Sequence, residues 1–142
     1  MIESNREIKK PSEKREIMPR FEASALRGYC VSVLMASGVE RSCAEAVADA
    51  LIDAELTGVS THGVSRLAVY MQRMDAGVMS RENNIRIVRE STSTLVVDAG
   101  NSLGAAAAKF AMERCIAKAK ETGCCFASVH SSNHFGTAAY YT

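Results

Sequence analysis

The sequence lacks a surplus of charge of either sign and lacks long hydrophobic runs. Its 142 residues include 17 basic and 16 acidic side chains, a formal net charge of +1. Binding to nucleic acid or to an anionic membrane usually requires an excess of basic over acidic side chains, so we expect neither as a partner. The apolar runs are too short to span a membrane, and the N-terminus has no apolar signal core. These absences predict a soluble, cytoplasmic protein, long enough to bury a core of its own.

Several catalytic motifs are also absent. The sequence contains no G-x-G-x-x-G, no lysine-bearing phosphate loop, no H-E-x-x-H, no G-x-S-x-G and no paired carboxylates at catalytic spacing. Without such a fingerprint, the glycines of residues 100–104 indicate a turn and a helix start. The five cysteines are odd in number and have no C-x-x-C spacing. We therefore expect reduced thiols, most of them small core residues.

The first part of the chain changes from a charged leader to helices. Residues 1–20 hold both prolines and many charges, which predicts a flexible charged tail. Residues 21–80 predict a module of three short helices separated by glycine stops. Ser42 and Glu45 predict a capping box for the second helix, and the third should run from about His62 to Ala76. Its apolar stripe would be Val64, Leu67, Met71 and Met74.

The hydrophobic period then changes to that of a sheet. Residues 85–87, 94–98 and 124–129 predict strands, and an alanine-rich helix over about 103–121, capped by Asn101 or Ser102, separates the last two. Strand, helix and strand of these lengths form a βαβ unit, so residues 81–142 predict the start of an α/β domain. The predicted helix after residue 136 has no stop signal. We therefore expect an incomplete domain, the N-terminal part of a longer protein.

The stretch GVSTHGVSRL, residues 58–67, places a histidine one helical turn before an arginine. On the predicted helix, His62 and Arg66 share a face away from the apolar stripe, and Thr61 or Ser60 is the N-cap. A neutral histidine can exchange a proton with a hydroxyl group while an arginine holds a carboxylate at two points, which suits a 2-hydroxy or 2-oxo acid. The alternative is an exposed pair on a solvated helix face.

A second polar stretch, HSSNHFG, follows the last predicted strand. Ligands in α/β sheets bind beyond the carboxyl ends of strands, so Ser132, Asn133 and His134 are candidates for a site. The alternative is an ordinary strand-to-helix turn capped by Ser132 or Asn133. His130 and His134 permit a zinc hypothesis, but a strand end and a loop separate them, so we expect no metal site.

Together the two stretches resemble the malate/L-lactate dehydrogenase family of type 2, which includes ureidoglycolate dehydrogenase, sulfolactate dehydrogenase and diketogulonate reductase. The family signature G-[VI]-x-S-H-G-x-x-R matches residues 58–66, with Thr61 in place of serine, and S-x-H-x-G matches residues 132–136. The resemblance covers about residues 21–142, only the N-terminal portion of a much longer family fold. It implies an α/β fold that is not the Rossmann fold.

The resemblance also implies a function. It implies hydride transfer between NAD or NADP and a small 2-hydroxy or 2-oxo acid such as malate or lactate. His62 would be the general acid/base, and His134 is the second candidate for that role. The substrate-binding residues would be Arg66 for the carboxylate, with Thr61, Ser132 and Asn133 lining the pocket.

The resemblance further implies that most cofactor-binding residues lie beyond Thr142. We therefore expect the 142-residue chain alone to have little or no dehydrogenase activity. A homodimer is the expected assembly. Two alternatives remain: a non-catalytic, truncated homologue that acts as a dimerising interaction module, and a zinc-dependent hydrolase that uses His130 and His134.

Overall fold

A computed structural model describes residues 20–141 of the protein, so that nearly all of the predicted charged tail lies outside the described residues. In chain order these residues form α1 (Ala23–Ala36), α2 (Arg41–Leu56), a 3-10 helix (Ser60–His62), α3 (Ser65–Asp75), β1 (Arg86–Glu90), β2 (Thr94–Asp98), α4 (Gly104–Thr122), β3 (Phe126–His130) and a second 3-10 helix (Ala138–Tyr141). None of the helices within this range is long and apolar enough to cross a membrane.

Helix α2 is the central element, because it is buried on almost every side. Most of its buried residues are alanine or cysteine, whose side chains are small enough to let neighbouring helices approach closely. Helix α2 contacts α1, α4 and the first 3-10 helix. One buried cluster runs from α1 through α3 to the N-terminal end of α4. At that end the cluster includes Leu103 and Ala106. The predicted domain boundary at residue 80 stays a prediction.

The predicted capping box of α2 is wrong. The helix begins at Arg41, before Ser42, and no side chain among residues 20–141 caps its N-terminus. Ser42 Oγ instead donates to the Glu40 carboxylate at 2.7 Å, and Glu45 forms an ion pair with Arg41. A neighbouring charged acceptor competes successfully for the hydroxyl that would otherwise cap the helix.

The predicted cap of α4 is wrong as well. Leu103 is the N-cap residue, and Asn101 and Ser102 lie before it without capping. Ser102 is buried, where its Oγ donates to the Glu82 carbonyl at 2.8 Å and accepts from the Asn84 N–H at 3.2 Å. The end of α4 follows the prediction, since Gly123 closes it with a φ of +87°.

The sheet confirms the predicted α/β class. Its strand order is β1-β2-β3, with β1 antiparallel and β3 parallel to β2. Leu95 and Val97 of β2 are buried, and α4 packs against β2 and β3. The last two strands and α4 therefore form the predicted βαβ unit.

The loops that follow the carboxyl ends of β2 and β3 contact each other. Asp98 and His130 end the two strands as partners in register. Just beyond them, Asn101 and Ser131 both adopt left-handed backbone with φ of 60° and 51°, and the Asn101 N–H donates to the Ser131 carbonyl at 2.8 Å. These turns bring the loop after β3 onto the N-terminus of α4.

Candidate active site

Two histidines from separate parts of the chain lie next to each other with tilted rings. The ring centroids of His62 and His134 lie 5.2 Å apart, with 30° between the ring planes. His62 is the last residue of the first 3-10 helix, and His134 lies in the loop after β3. Both residues are partly buried. The structure thus brings together the two residues that the sequence nominated for proton transfer.

The local structure around His62 differs from the prediction. Helix α3 begins at Ser65 with Val64 as its N-cap residue, so His62 is not in its first turn and neither Thr61 nor Ser60 caps it. Gly63 separates the 3-10 helix from α3 with extended backbone, φ −85° and ψ −151°. The hydroxyl of Thr61 instead lies 3.1 Å from His62 Nδ1.

Helix α3 supplies a further partner for His134. The Tyr70 hydroxyl lies 2.8 Å from His134 Nδ1, and the Gly136 N–H donates to the same nitrogen at 3.3 Å. Because the backbone N–H can only donate, Nδ1 is an acceptor, and the neutral ring carries its proton on Nε2. Burial lowers the pKa of His134, and the positive charge of Arg66, the His62 ring and Arg73 lower it further. His134 is therefore a neutral imidazole near pH 7 with a defined tautomer.

Tyr70 was absent from the predicted site. The predicted stripe is confirmed, since Leu67 and Met74 are buried and Met71 packs against the core, but it did not include Tyr70, which is buried as well. Tyr70 is only 3% exposed, and burial raises the pKa of its hydroxyl. A signal for it exists in the sequence: Tyr70 follows Arg66 by one helical turn, so the two side chains share a face.

One edge of the Arg66 guanidinium group is available to bind a ligand. Its Nε donates to the Thr61 carbonyl at 2.6 Å, which holds the side chain over the 3-10 helix. Neither terminal nitrogen of Arg66 has a hydrogen-bond or ion-pair partner within residues 20–141. After burial, the charge of Arg66 is the largest cause that lowers the pKa of His134. A pair of free N–H groups close enough to act on His134 is suited to a carboxylate.

Ser132 and Asn133 occupy a different place from the histidine pair. The Asn133 amide donates at 3.0 Å to the Asn101 carbonyl, to its side-chain oxygen and to the Ser102 carbonyl, so it ties two loops together. Ser132 Oγ donates to the Asn133 carbonyl at 3.4 Å. Both residues line an open, largely apolar cavity of about 630 Å³ between α4 and β3. The structure does not place them between His62 and His134, and neither one caps a helix.

Gly104 lets the His134 loop lie directly on α4. A Cβ atom on Gly104 would lie 2.2 Å from the Asn133 carbonyl oxygen and 2.5 Å from that of His134. Contacts this short cannot exist, so only glycine permits this approach. The glycine that the sequence indicated as part of a turn has a tertiary role in seating His134.

His130 belongs to a separate group at the strand ends. Its Nδ1 lies 3.0 Å from Ser131 Oγ and 3.8 Å from Asp98 Oδ1. The Gly100 N–H lowers the pKa of Asp98, as do the charges of Arg86 and His130. In the described part of the chain, no three histidine, cysteine or carboxylate side chains form a group that could hold a metal ion.

Comparison with known proteins identifies the family. The model of the malate/L-lactate dehydrogenase family matches residues 21–142. The malate/(S)-sulfolactate dehydrogenase of Methanothermus fervidus is 35% identical over 116 residues, which cover 82% of this chain and 34% of that protein. The L-sulfolactate dehydrogenase of Methanothermobacter thermautotrophicus is 38% identical over 126 residues, 89% of this chain and 36% of that protein.

Solved structures agree. The malate dehydrogenase of Pyrococcus horikoshii superimposes with a TM-score of 0.84 at 36% identity, over 87% of this chain and 35% of the other. The chain thus spans about a third of the length of the relatives that it matches. The family match over both histidine stretches, together with this shared fold, shows that the chain belongs to the malate/L-lactate dehydrogenase family.

Proposed function

We propose that this chain is the acid-binding, proton-handling part of an NAD- or NADP-dependent 2-hydroxyacid dehydrogenase. The observation that carries the proposal is the adjacent ring pair of His62 and His134, together with the nearby charge of Arg66 and its free guanidinium edge. Its relatives bear the names of malate and sulfolactate dehydrogenases. Malate, lactate or a similar small 2-hydroxy acid is therefore the proposed substrate class.

Arg66 binds the substrate carboxylate in this proposal. Its Nε is occupied by the Thr61 carbonyl, so the two terminal nitrogens present a planar pair of donors to the two carboxylate oxygens. The contact to Thr61 also fixes the guanidinium group before the substrate arrives. A group fixed in advance loses less conformational entropy on binding.

His62 carries the proton, and His134 donates a hydrogen bond. Both donors to His134 converge on Nδ1, so this nitrogen has no lone pair free to accept a proton from substrate. The Nε2–H of His134 remains available to hold the substrate oxygen. His62 has Nδ1 beside the Thr61 hydroxyl, which leaves Nε2 to exchange a proton with that oxygen as a general acid or base.

The described residues do not supply a diphosphate site at the glycine turn before α4. A dinucleotide phosphate at a helix N-terminus needs free N–H groups and close approach at a glycine. At Gly104 that approach is filled by the carbonyl oxygens of Asn133 and His134. When bound, the nicotinamide cofactor supplies or accepts the hydride. The assignments above concern only the acid and its proton.

A homodimer is part of the same proposal. Helix α1 and the residue before its N-cap expose aromatic side chains, with Phe21 70% and Tyr29 59% exposed. Exposed aromatic side chains are enriched at interfaces between chains. Sedimentation equilibrium of the purified chain tests whether it forms a dimer. A cytoplasmic location is a further part of the proposal.

Titration with oxamate, an unreactive analogue of pyruvate, tests acid binding separately from turnover. We expect the Arg66→Gln variant to bind oxamate roughly tenfold to a hundredfold more weakly, because a charged hydrogen-bonded pair contributes about 1.5–3 kcal/mol. Arg89→Gln removes the same charge from the exposed strand β1 and should leave the affinity unchanged. The measurement is calorimetric titration of the three proteins.

Turnover is followed as NADH or NADPH oxidation with pyruvate and oxaloacetate. Oxamate binding that is equal in the wild type and Arg66→Gln, or undetectable in the wild type, would contradict the proposal. It would favour the alternative of a non-catalytic interaction module. Turnover that His62→Gln abolishes would establish the catalytic function directly.

A further inference from the structure

Glu55, in the last turn of α2, reaches across to the turn that separates His62 from α3. Its Oε1 accepts a hydrogen bond from the Val64 N–H at 2.8 Å. Val64 is the N-cap residue of α3, and no side chain of the helix itself caps this end. Glu55 therefore satisfies a donor that would otherwise lack a partner, and places a negative charge at the positive end of α3.

Gly63 makes room for this contact. A Cβ atom on Gly63 would lie 2.1 Å from Glu55 Oε1 and 2.4 Å from its Cδ. The backbone of Gly63, with φ −85° and ψ −151°, lies outside the left-handed region that favours glycine. A methyl group at this position would displace the end of the Glu55 side chain, so the contact depends on the small size of glycine.

The Glu55 contact sits at the joint between the two elements that carry the site. On one side, the 3-10 helix ends with His62; on the other, α3 carries Arg66 and Tyr70. Helix α2 is the most buried of the helices that the structure describes. The Glu55 contact thus attaches the joint to α2, while the loop that carries His134 rests on Gly104 of α4.

We propose that Glu55 is a positioning residue that holds the His62 ring against His134. The effect of Glu55 on catalysis rests on the proposed function, but its effect on the distance between the two rings does not. The competing interpretation is a helix cap that contributes only stability. The two interpretations differ in whether the ring pair separates when the contact is lost.

Two variants remove the contact in different ways. Glu55→Ala deletes the acceptor, and Gly63→Ala fills the space with a methyl group that pushes the flexible carboxylate aside. Glu55→Gln is the matched control, because its amide oxygen still accepts from the Val64 N–H. The readout is the nuclear Overhauser effect between ring protons of His62 and His134, with hydrogen exchange at the Val64 amide.

We expect the wild type and Glu55→Gln to keep the ring-to-ring signal, and Glu55→Ala and Gly63→Ala to lose most of it. The Val64 amide should exchange at least tenfold faster in the latter two variants. Oxamate affinity should fall about fivefold to tenfold in both. If the ring signal persists in Glu55→Ala while only stability falls, Glu55 is a cap alone and the proposal is overturned.

A double-mutant cycle tests whether Gly63 and Glu55 are in direct contact. The three atoms nearest to a Cβ on Gly63 all belong to the Glu55 side chain. Gly63→Ala should therefore be nearly harmless once Glu55→Ala has emptied the space, and the two effects on the free energy of unfolding should not add. Simple additivity would overturn the proposal. A wild type that keeps the ring signal but binds no oxamate would refute the proposed function and leave the positioning role standing.

Discussion

The hydroxyl of Tyr70 lies 2.8 Å from Nδ1 of His134, across 64 residues of sequence. This contact joins a helix of the N-terminal half to the loop after the last strand. Together with the Gly136 N–H it determines which nitrogen of His134 carries the proton. The backbone N–H fixes Nδ1 as an acceptor, and a tyrosine in the core adds a second hydrogen bond to the same nitrogen.

Removal of the Tyr70 hydroxyl should destabilise the protein and raise the pKa of His134. Tyr70→Phe leaves the buried Nδ1 with one donor fewer, at a cost of about 1 kcal/mol. The neutral ring loses a hydrogen bond, so protonation becomes easier. Urea unfolding and an NMR titration of His134 measure the two effects. Tyr29→Phe is the control, because Tyr29 is exposed; an equal loss in both variants would contradict this role of Tyr70.

Gly104→Ala should displace the His134 loop. The new methyl group would meet the backbone oxygens of Asn133 and His134, which cannot move as a side-chain end can. We expect a loss of about 1–3 kcal/mol, typical of overpacking. Gly28→Ala lies within α1 with open space around it and should instead stabilise by up to about 1 kcal/mol. Thermal unfolding distinguishes the two, and similar melting temperatures would contradict the close approach.

Stability should fall as the pH drops below the ordinary pKa of histidine. The folded state lowers the pKa of His134, so the unfolded chain binds a proton first. The stabilisation is complete above about pH 6.5 and is lost as the pH falls through the folded-state pKa. Urea unfolding across this range measures it. His134→Gln should show a shallower dependence on pH, and an unchanged slope would assign the effect to other groups.

The cysteines should differ in reactivity. All five are free, with Cys124 exposed and Cys115 buried. Burial, together with the neighbouring Cys125, raises the pKa of Cys115 to about 11. At about pH 8 only about one Cys115 thiol in a thousand is ionised, so iodoacetamide should modify Cys124 first. Peptide mass spectrometry over time measures the order, and equally fast modification of Cys115 would contradict its burial.

Much of the fold could be predicted from local pattern. The bounds of α4 and β2 were predicted to within about one residue, because periodicity and Gly123 are local signals. The caps of α2, α3 and α4 could not be predicted, because they depend on contacts outside the cap motifs. The Ser42 hydroxyl donates to Glu40, and Glu55 accepts from the Val64 N–H. Ser102 is buried and donates to the Glu82 carbonyl. Side-chain hydroxyls and carboxylates form hydrogen bonds with the groups that tertiary packing places next to them, and the spacing of residues in the sequence does not reveal those neighbours.

The sequence by itself determined the chemistry of the site: two histidines and an arginine in two short stretches, with residue types suited to a 2-hydroxy acid. Only the tertiary structure decided their arrangement. The rings of His62 and His134 lie 5.2 Å apart, with the His134 loop resting on Gly104, and in our proposal Glu55 holds the turn after His62. Residue types determine which proton and charge chemistry is available. Close packing between distant segments determines the distances over which it acts.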